Sequence, residues 1–223
     1  MTTDLFSPNG PMPGQRTRLG AQAALLHGFA LAHMPALWPA LQDVLRSAPP
    51  RQMRTPGGRL MSAQLTSCGA LGWVSDTRGY RYSRTDPSTG LPWPAMPLAL
   101  RALAESAAAA TGLGDYQPDA CLINRYAPGA RMGLHQDRDE YDLAQPIVSV
   151  SLGLSAVFLW GGADRHERPA RVPLAHGDVV VFGGVDRLRF HGVVPIAAGD
   201  HPLTGAARIN LTFRKAGAAG HPA

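Results

Sequence analysis

Apolar residues recur at helical intervals in two places in the first half of the chain. Leu37, Leu41, Val44 and Leu45 share one side of a helix predicted over residues 35–48, which Pro49 and Pro50 stop. Leu100, Leu103, Ala104 and Ala107 share one side of a second helix predicted over residues 97–111, with Gly112 just beyond its end. From Asp119 onward the period changes. The short apolar runs ACLINRYA, PIVSVSLG, AVFLW, ARVPLA, DVVVFGG and ARINLTFR, separated by turn residues, predict strands. Several short strands at close intervals favour a barrel or a double-sheet jelly roll, covered by the two helices. The fold class expected is α+β, mainly β.

Residues 51–93 break this pattern. They are rich in Gly, Arg, Tyr and Ser, with only a brief strand-like run over residues 60–66, and are expected to form a functional lid rather than core. Pro, Gly and Ser interrupt every periodicity in residues 1–18, which predicts a flexible N-terminal tail with order beginning near Ala21. One domain is then expected over residues 19–215, its β core over 119–215, followed by a short C-terminal tail over 216–223. A chain of 223 residues with 45% hydrophobic content suffices for one such core. No apolar run reaches the roughly 18 residues needed to span a bilayer, and the first eighteen residues lack the apolar segment of a secretory signal, so no membrane partner and a cytoplasmic location are expected. Cys68 and Cys121 are expected to be reduced core residues. No heptad repeat is visible, which favours a monomer. The net charge of +5 attracts polyanions, a property shared by nucleic-acid enzymes and by many other basic proteins.

Candidate chemistry begins at His135-Gln136-Asp137. In extended chain, residues i and i+2 point to the same side, so an imidazole and a carboxylate can converge on one point. His191 in RLRFHGV can supply a third ligand. Two His and one carboxylate leave the remaining positions of an octahedral metal open, as an Fe(II) oxygenase requires. The short motif also arises by chance, and with eight His in the chain a partner is easily found. His27, His33 and His166 are expected at the surface or in the core, His176 in a turn, and His201 and His221 in loops.

A second constellation is Arg208-Ile209-Asn210-Leu211-Thr212-Phe213-Arg214. Strand alternation puts Arg208, Asn210, Thr212 and Arg214 on one face and the three apolar residues on the other. If the polar face is interior, two arginines require anions, and a dicarboxylate would supply them through two parallel hydrogen bonds per carboxylate. If the face is solvent-exposed, no such requirement follows.

The blocks DACLINRYAPGARMGLHQDRDE, PIVSVSLGLSAVF, HGDVVVFGGVDRLRFHGV and RINLTFR, with TSCGALGWVSDTRGYRYS and LPWPAMP upstream, resemble the AlkB family in order and spacing over roughly residues 51–215. The resemblance implies a double-stranded β-helix (jelly roll) with flanking helices and a nucleotide-recognition lid. It implies Fe(II) at His135, Asp137 and His191, with 2-oxoglutarate and O2 as co-substrates. Asn124, Arg125, Tyr126, Arg208, Asn210 and Arg214 would bind the 2-oxoglutarate. Trp73, Tyr80, Arg81, Tyr82, Asp139 and Arg165 would contact the substrate, and Arg131 and Arg138 would supply charge for phosphate. The activity implied is oxidative dealkylation of bases such as 1-methyladenine and 3-methylcytosine, preferably in single-stranded DNA, with duplex DNA and RNA as further substrates, releasing aldehyde, succinate and CO2. Two positions depart from the family pattern: Tyr141 stands where Pro is expected, and Leu65 where Met is expected. The rival readings are an oxygenase acting on RNA, protein or a small molecule, and a non-catalytic nucleic-acid-binding protein with a structural metal.

Overall fold

The computed structural model describes residues 12–217, so residues 1–11 and 218–223 of the two expected tails lie outside the described residues. In chain order the elements are β1 (Arg16–Arg18), β2 (Ala23–Leu26), α1 (Met34–Ser47), β3 (Gln64–Gly69), β4 (Gly72–Asp76), β5 (Gly79–Ser83) and α2 (Leu98–Ala110). They continue with β6 (Ala120–Tyr126), β7 (Met132–His135), β8 (Ile147–Gly153), β9 (Ala156–Trp160), β10 (Ala170–Leu174), β11 (Val179–Phe182), β12 (His191–Val193) and β13 (Arg208–Arg214). Seven strands form one sheet in the order β1-β2-β11-β8-β13-β6-β3, and four form a second in the order β10-β9-β12-β7. The hairpin β4–β5 is a sheet of its own.

Alternation along the strands builds two apolar layers. On one face of the large sheet, Ile123, Val150, Leu211 and Phe213 pack beneath the helices, against Leu37 and Leu41 of α1 and Leu100 and Leu103 of α2. On its other face, Tyr126, Ile147, Val180 and Phe182 meet Phe158, Trp160 and Val193 of the small sheet. The result is a jelly roll with helices on one side, because each sheet face has enough apolar area to require a cover. Strand β13, central in the large sheet between β8 and β6, is buried along its whole length. Its arginines therefore face the space between the sheets, and the solvent-facing alternative does not hold.

The structure differs from the sequence-based expectations in four places. Arg16–Arg18, assigned to the N-terminal tail, pairs with β2 as an exposed edge strand. Strand β2 itself went unpredicted because all four of its residues are buried, so no alternation marks it. The lid segment contains a core strand: β3 pairs with β6 along its length, Leu65 and Cys68 are fully buried, and Cys68 lies opposite Cys121. At the C-terminal end, Ala216 and Gly217 are tied down, their N–H groups donating to the Asp119 carboxylate at 2.6 and 3.0 Å. The lid hairpin β4–β5 turns through Thr77 and Arg78 without an Asn-Gly or Asp-Gly pair; the positive φ of +116° at Gly79 gives the chain its reversal.

Leu211 sits at the centre of the layer under the helices with no exposure. Leu211→Ala is expected to lower the unfolding free energy by about 2–5 kcal/mol in a urea titration. A loss below about 1 kcal/mol would contradict this packing.

Candidate active site

Strands β7 and β12 lie side by side in the small sheet, with His135 directly opposite His191. Gly192 permits this pairing, since a Cβ there would come within 2.8 Å of the Met132 carbonyl oxygen. Asp137 follows β7 by two residues, in the loop, and its carboxylate turns back between the two rings. Its Oδ1 is 3.6 Å from His135 Nε2 and its Oδ2 is 3.8 Å from His191 Nε2. Ligand atoms of all three residues lie within 4.8 Å of one another, close enough to hold one metal ion.

Each imidazole is oriented by the carbonyl two residues before it in the chain. His135 Nδ1 donates to the Gly133 carbonyl oxygen at 2.9 Å, and His191 Nδ1 to that of Arg189 at 3.0 Å. A carbonyl only accepts, so the proton sits on Nδ1 and the Nε2 lone pair of each ring is free for a metal. Burial, with the neighbouring His135, pushes the His191 pKa down to about 4 against the opposing pull of Asp137, so the ring is neutral at physiological pH. Burial alone would raise the Asp137 carboxyl, but Arg214, His191 and His135 outweigh it and hold its pKa well below the ordinary carboxylate range. Arg214 fastens this carboxylate: Nε and Nη2 both donate to Oδ2, at 3.0 and 2.7 Å.

Next to these ligands a narrow cavity runs between the sheets, lined by Asn124, Tyr126, Ser149, Arg208, Asn210 and Arg214. Arg208 is 1% exposed, and burial lowers its pKa from the usual guanidinium value. Its Nη2 donates to Ser151 Oγ at 2.8 Å, whereas Nε and Nη1 have no hydrogen-bond partner among the described residues. Arg214 Nη1 is also unpartnered there. A buried guanidinium with open donors is costly unless an anion meets it, so the cavity suits a small carboxylate ligand that reaches from Arg208 toward the His-Asp-His cluster.

On the other side of the cluster a second, wider cavity of about 450 Å³ opens toward the lid, lined by Trp73, Tyr80, Asp139, Arg165 and Leu65 together with His135, Asp137 and Arg214. Trp73 and Tyr80 stack with ring centroids 5.4 Å apart and planes 15° from parallel. The Trp73 indole N–H donates to Asp139 Oδ2 at 2.8 Å. Arg165 lies over the Phe190 ring. Arg138 also borders this space. Leu65, one of the two departures from the family pattern, lies in this wall, while Tyr141, the other, is 77% exposed.

Three of the expected contact residues are elsewhere. Arg125 alternates to the helix-side face of β6 and donates to Gln64 Oε1 at 3.1 Å, away from the Asn124 and Tyr126 side chains on the cavity face. Arg81 points to the hairpin face opposite Trp73 and pairs with the Asp76 carboxylate at 2.8 and 3.0 Å. Tyr82 donates its hydroxyl to Glu140 Oε1 at 2.7 Å and is not part of the cavity wall. Sequence reasoning missed Arg187 and Glu140, which pair at 2.9 Å with almost no exposure. Glu140 was visible only as an acid of the segment Asp139-Glu140-Tyr141-Asp142, and nothing in the spacing links it to an arginine 47 residues away.

The family model of the 2OG-Fe(II) oxygenase superfamily matches residues 22–214. The chain is 53% identical to the alpha-ketoglutarate-dependent dioxygenase AlkB of Escherichia coli (strain K12), over 96% of this chain and 98% of that protein. The chain belongs to the AlkB family of 2OG-Fe(II) oxygenases. A more distant relative, the nucleic acid dioxygenase ALKBH1 of Mus musculus, is 34% identical over 79% of this chain and 46% of its own length. The solved structure of OsALKBH1 has a TM-score of 0.75 at 30% identity, covering 90% of this chain and 100% of that one. As a member of this superfamily the enzyme uses Fe(II), 2-oxoglutarate and O2. The chemistry of the donors fits: two imidazoles with Nε2 aimed at one point and a charge-held carboxylate for the metal, and open guanidinium donors for a dicarboxylate.

For this AlkB-family enzyme, Arg208→Gln is expected to weaken 2-oxoglutarate binding by about 30-fold or more, measured by anaerobic calorimetry, since removing one member of a buried charge pair costs about 2 kcal/mol or more. A change below about three-fold would mean that the dicarboxylate does not meet Arg208.

Proposed function

We propose that this chain repairs alkylated nucleic-acid bases by oxidative dealkylation. One observation carries the reading: His135, Asp137 and Arg214, with Leu122 and Met132, line both the narrow, arginine-ended cavity and the wider, aromatic-walled one. A co-substrate in the first and a base in the second would both reach the same metal position. The relatives named AlkB and nucleic acid dioxygenase support the substrate class.

In this reading His135, Asp137 and His191 hold Fe(II), Arg208 takes the distal carboxylate of 2-oxoglutarate, and Asn124, Tyr126 and Asn210 line its length. Bound iron, with O2 and 2-oxoglutarate, supplies the oxidising power that hydroxylates the alkyl carbon, the co-substrate leaving as succinate and CO2. Hydroxylation of an N-alkyl group gives a hemiaminal on the base, which collapses to an aldehyde and the repaired base.

The protein's contribution on the substrate side is selection and placement. A base leaving its stack loses π contacts, and Trp73 with Tyr80 offers an aromatic surface in exchange. Lesions such as 1-methyladenine and 3-methylcytosine occupy the pairing edge, so extruding them costs less than extruding an intact pair. Both carry positive charge, which Asp139 on the cavity wall would favour. Arg165 and Arg138 border the same cavity and, with Arg131, would meet the strand's phosphates. Single-stranded DNA is the preferred substrate in this reading, with duplex DNA and RNA as alternatives; the enzyme acts as a cytoplasmic monomer. Among the described residues no helix is long and apolar enough to cross a membrane.

Aerobic incubation with Fe(II), 2-oxoglutarate and a single-stranded oligonucleotide carrying 3-methylcytosine is expected to remove the mass of one methylene unit, dependent on both cofactors and absent in His135→Ala. Turnover of 2-oxoglutarate without a mass change would redirect the search to another substrate, and turnover of neither would sink the enzyme reading. Trp73→Ala is expected to raise KM for the oligonucleotide by about 5- to 150-fold, the equivalent of about 1–3 kcal/mol of stacking, with KM for 2-oxoglutarate nearly unchanged. An unchanged oligonucleotide KM would remove the stacking assignment.

A further inference from the structure

Arg214 faces both cavities, and the groups that hold it lead back to the lid. Besides its two bonds to Asp137, its Nε lies 3.2 Å from Glu140 Oε1. That same oxygen accepts the hydroxyl hydrogen of Tyr82, on lid strand β5, at 2.7 Å. The other oxygen, Glu140 Oε2, accepts from Arg187 Nη2 at 2.9 Å, and Arg187 Nη1 donates to the Asp137 carbonyl oxygen at 2.6 Å. Side-chain exposure is 2% for Glu140, 3% for Arg187, 6% for Arg214 and 7% for Asp137. Two acids and two arginines thus hold one another in a lattice almost closed to water. In such surroundings each charge depends on its partners, and displacing one obliges the others to rearrange.

Tyr82 differs from the other members because its backbone belongs to the β4–β5 hairpin, which shares no ladder with either main sheet. Its hydroxyl therefore joins a separately hung element to the carboxylate that steers Arg214. The Trp73 to Asp139 bond fastens the same hairpin on the cavity side. The hairpin is also held by Ser75 on the Arg54 carbonyl and by Trp93 on the Ser83 carbonyl. A base entering between it and His135 would nonetheless act on the bonds of Trp73 and Tyr82, and the Tyr82 bond leads through Glu140 and Arg214 to Asp137 and to the unpartnered Arg214 Nη1.

We infer that Tyr82 and Glu140 are positioning residues that couple the lid to the metal and co-substrate site, so that nucleic acid and 2-oxoglutarate bind cooperatively. With the hairpin seated, Tyr82 fixes Glu140, Glu140 fixes Arg214, and Arg214 presents its free donor to the co-substrate cavity while holding Asp137. Cooperativity is reciprocal, so the effect can be read on either ligand. The inference rests on the assignment of the two cavities proposed above.

The test is an anaerobic titration of the Fe(II)-loaded full chain with 2-oxoglutarate, followed by visible charge-transfer absorbance. It is run with and without a single-stranded 3-methylcytosine oligonucleotide, at concentrations that fluorescence anisotropy shows to saturate each protein. In the wild type the oligonucleotide is expected to tighten 2-oxoglutarate binding by about five-fold or more. In Tyr82→Phe, which loses only the hydroxyl, the ratio is expected to fall below about two-fold. Glu140→Gln should collapse the ratio as well, and Tyr82→Phe decides alone if that variant does not fold. A wild-type ratio of one, or a Tyr82→Phe ratio equal to the wild type's, overturns the coupling. A wild type that gives no charge-transfer band, or binds no oligonucleotide, removes the underlying assignment of the cavities instead.

Discussion

Positive charge buried on β13 is the constraint around which the rest is arranged. Arg208 and Arg214 lie on the inner face of a strand that is covered on both sides, and each must find negative charge or hydrogen-bond acceptors without help from water. Arg214 finds Asp137 and Glu140. Arg208 finds the Ser151 hydroxyl for one of its nitrogens and lies over the Tyr126 ring, and keeps two donors without a hydrogen-bond partner among the described residues. The first arginine is satisfied by the protein except at Nη1, and the second keeps two of its three nitrogens for a ligand. This asymmetry separates the structural end of the cavity from the binding end.

Satisfying Arg214 also prepares the metal site. Asp137 is buried and would resist ionisation on its own, yet it stays a carboxylate because a guanidinium occupies one of its oxygens. The two histidines are aimed in the same way: each Nδ1 faces the carbonyl two residues earlier in the chain, which leaves Nε2 toward the shared point. Register does the remaining work, since the pairing of β7 with β12 sets the rings opposite each other. A one-residue slip in that ladder would send one ring to the other face of the sheet and dismantle the cluster.

The lid is built on another principle. Its hairpin is tied to the body by side-chain bonds, Trp73 to Asp139, Tyr82 to Glu140, Ser75 to the Arg54 carbonyl and Trp93 to the Ser83 carbonyl, with Val74 buried beneath it. Attachments of this kind can be exchanged for contacts with a ligand at little cost to the core, whereas ladder bonds between the main strands cannot. The wall of the wider cavity is thus divided between a fixed half on β7 and the residues after it, and an exchangeable half on the hairpin.

Sequence alone determined what depends on local periodicity and residue chemistry. Both helices, six of the eight strands from Ala120 to Arg214 (all but β7 and β12), the alternation that sets Arg208, Asn210 and Arg214 on one face, and the convergence expected of His135 and Asp137 all follow from spacing along one chain. Tertiary structure decided whatever depends on two distant segments meeting. The inner rather than outer position of β13's polar face required both the helices and the small sheet to cover it. Arg125 was placed in the cavity by the family resemblance, together with Asn124 and Tyr126, but three consecutive strand residues cannot share a face and Arg125 lies on the helix side. Arg81 was offered to the substrate although Asp76 on the adjacent strand holds it. The pairing of Glu140 with Arg187 and Arg214 left no trace in spacing, because ion pairs across a fold obey distance in space rather than separation in sequence.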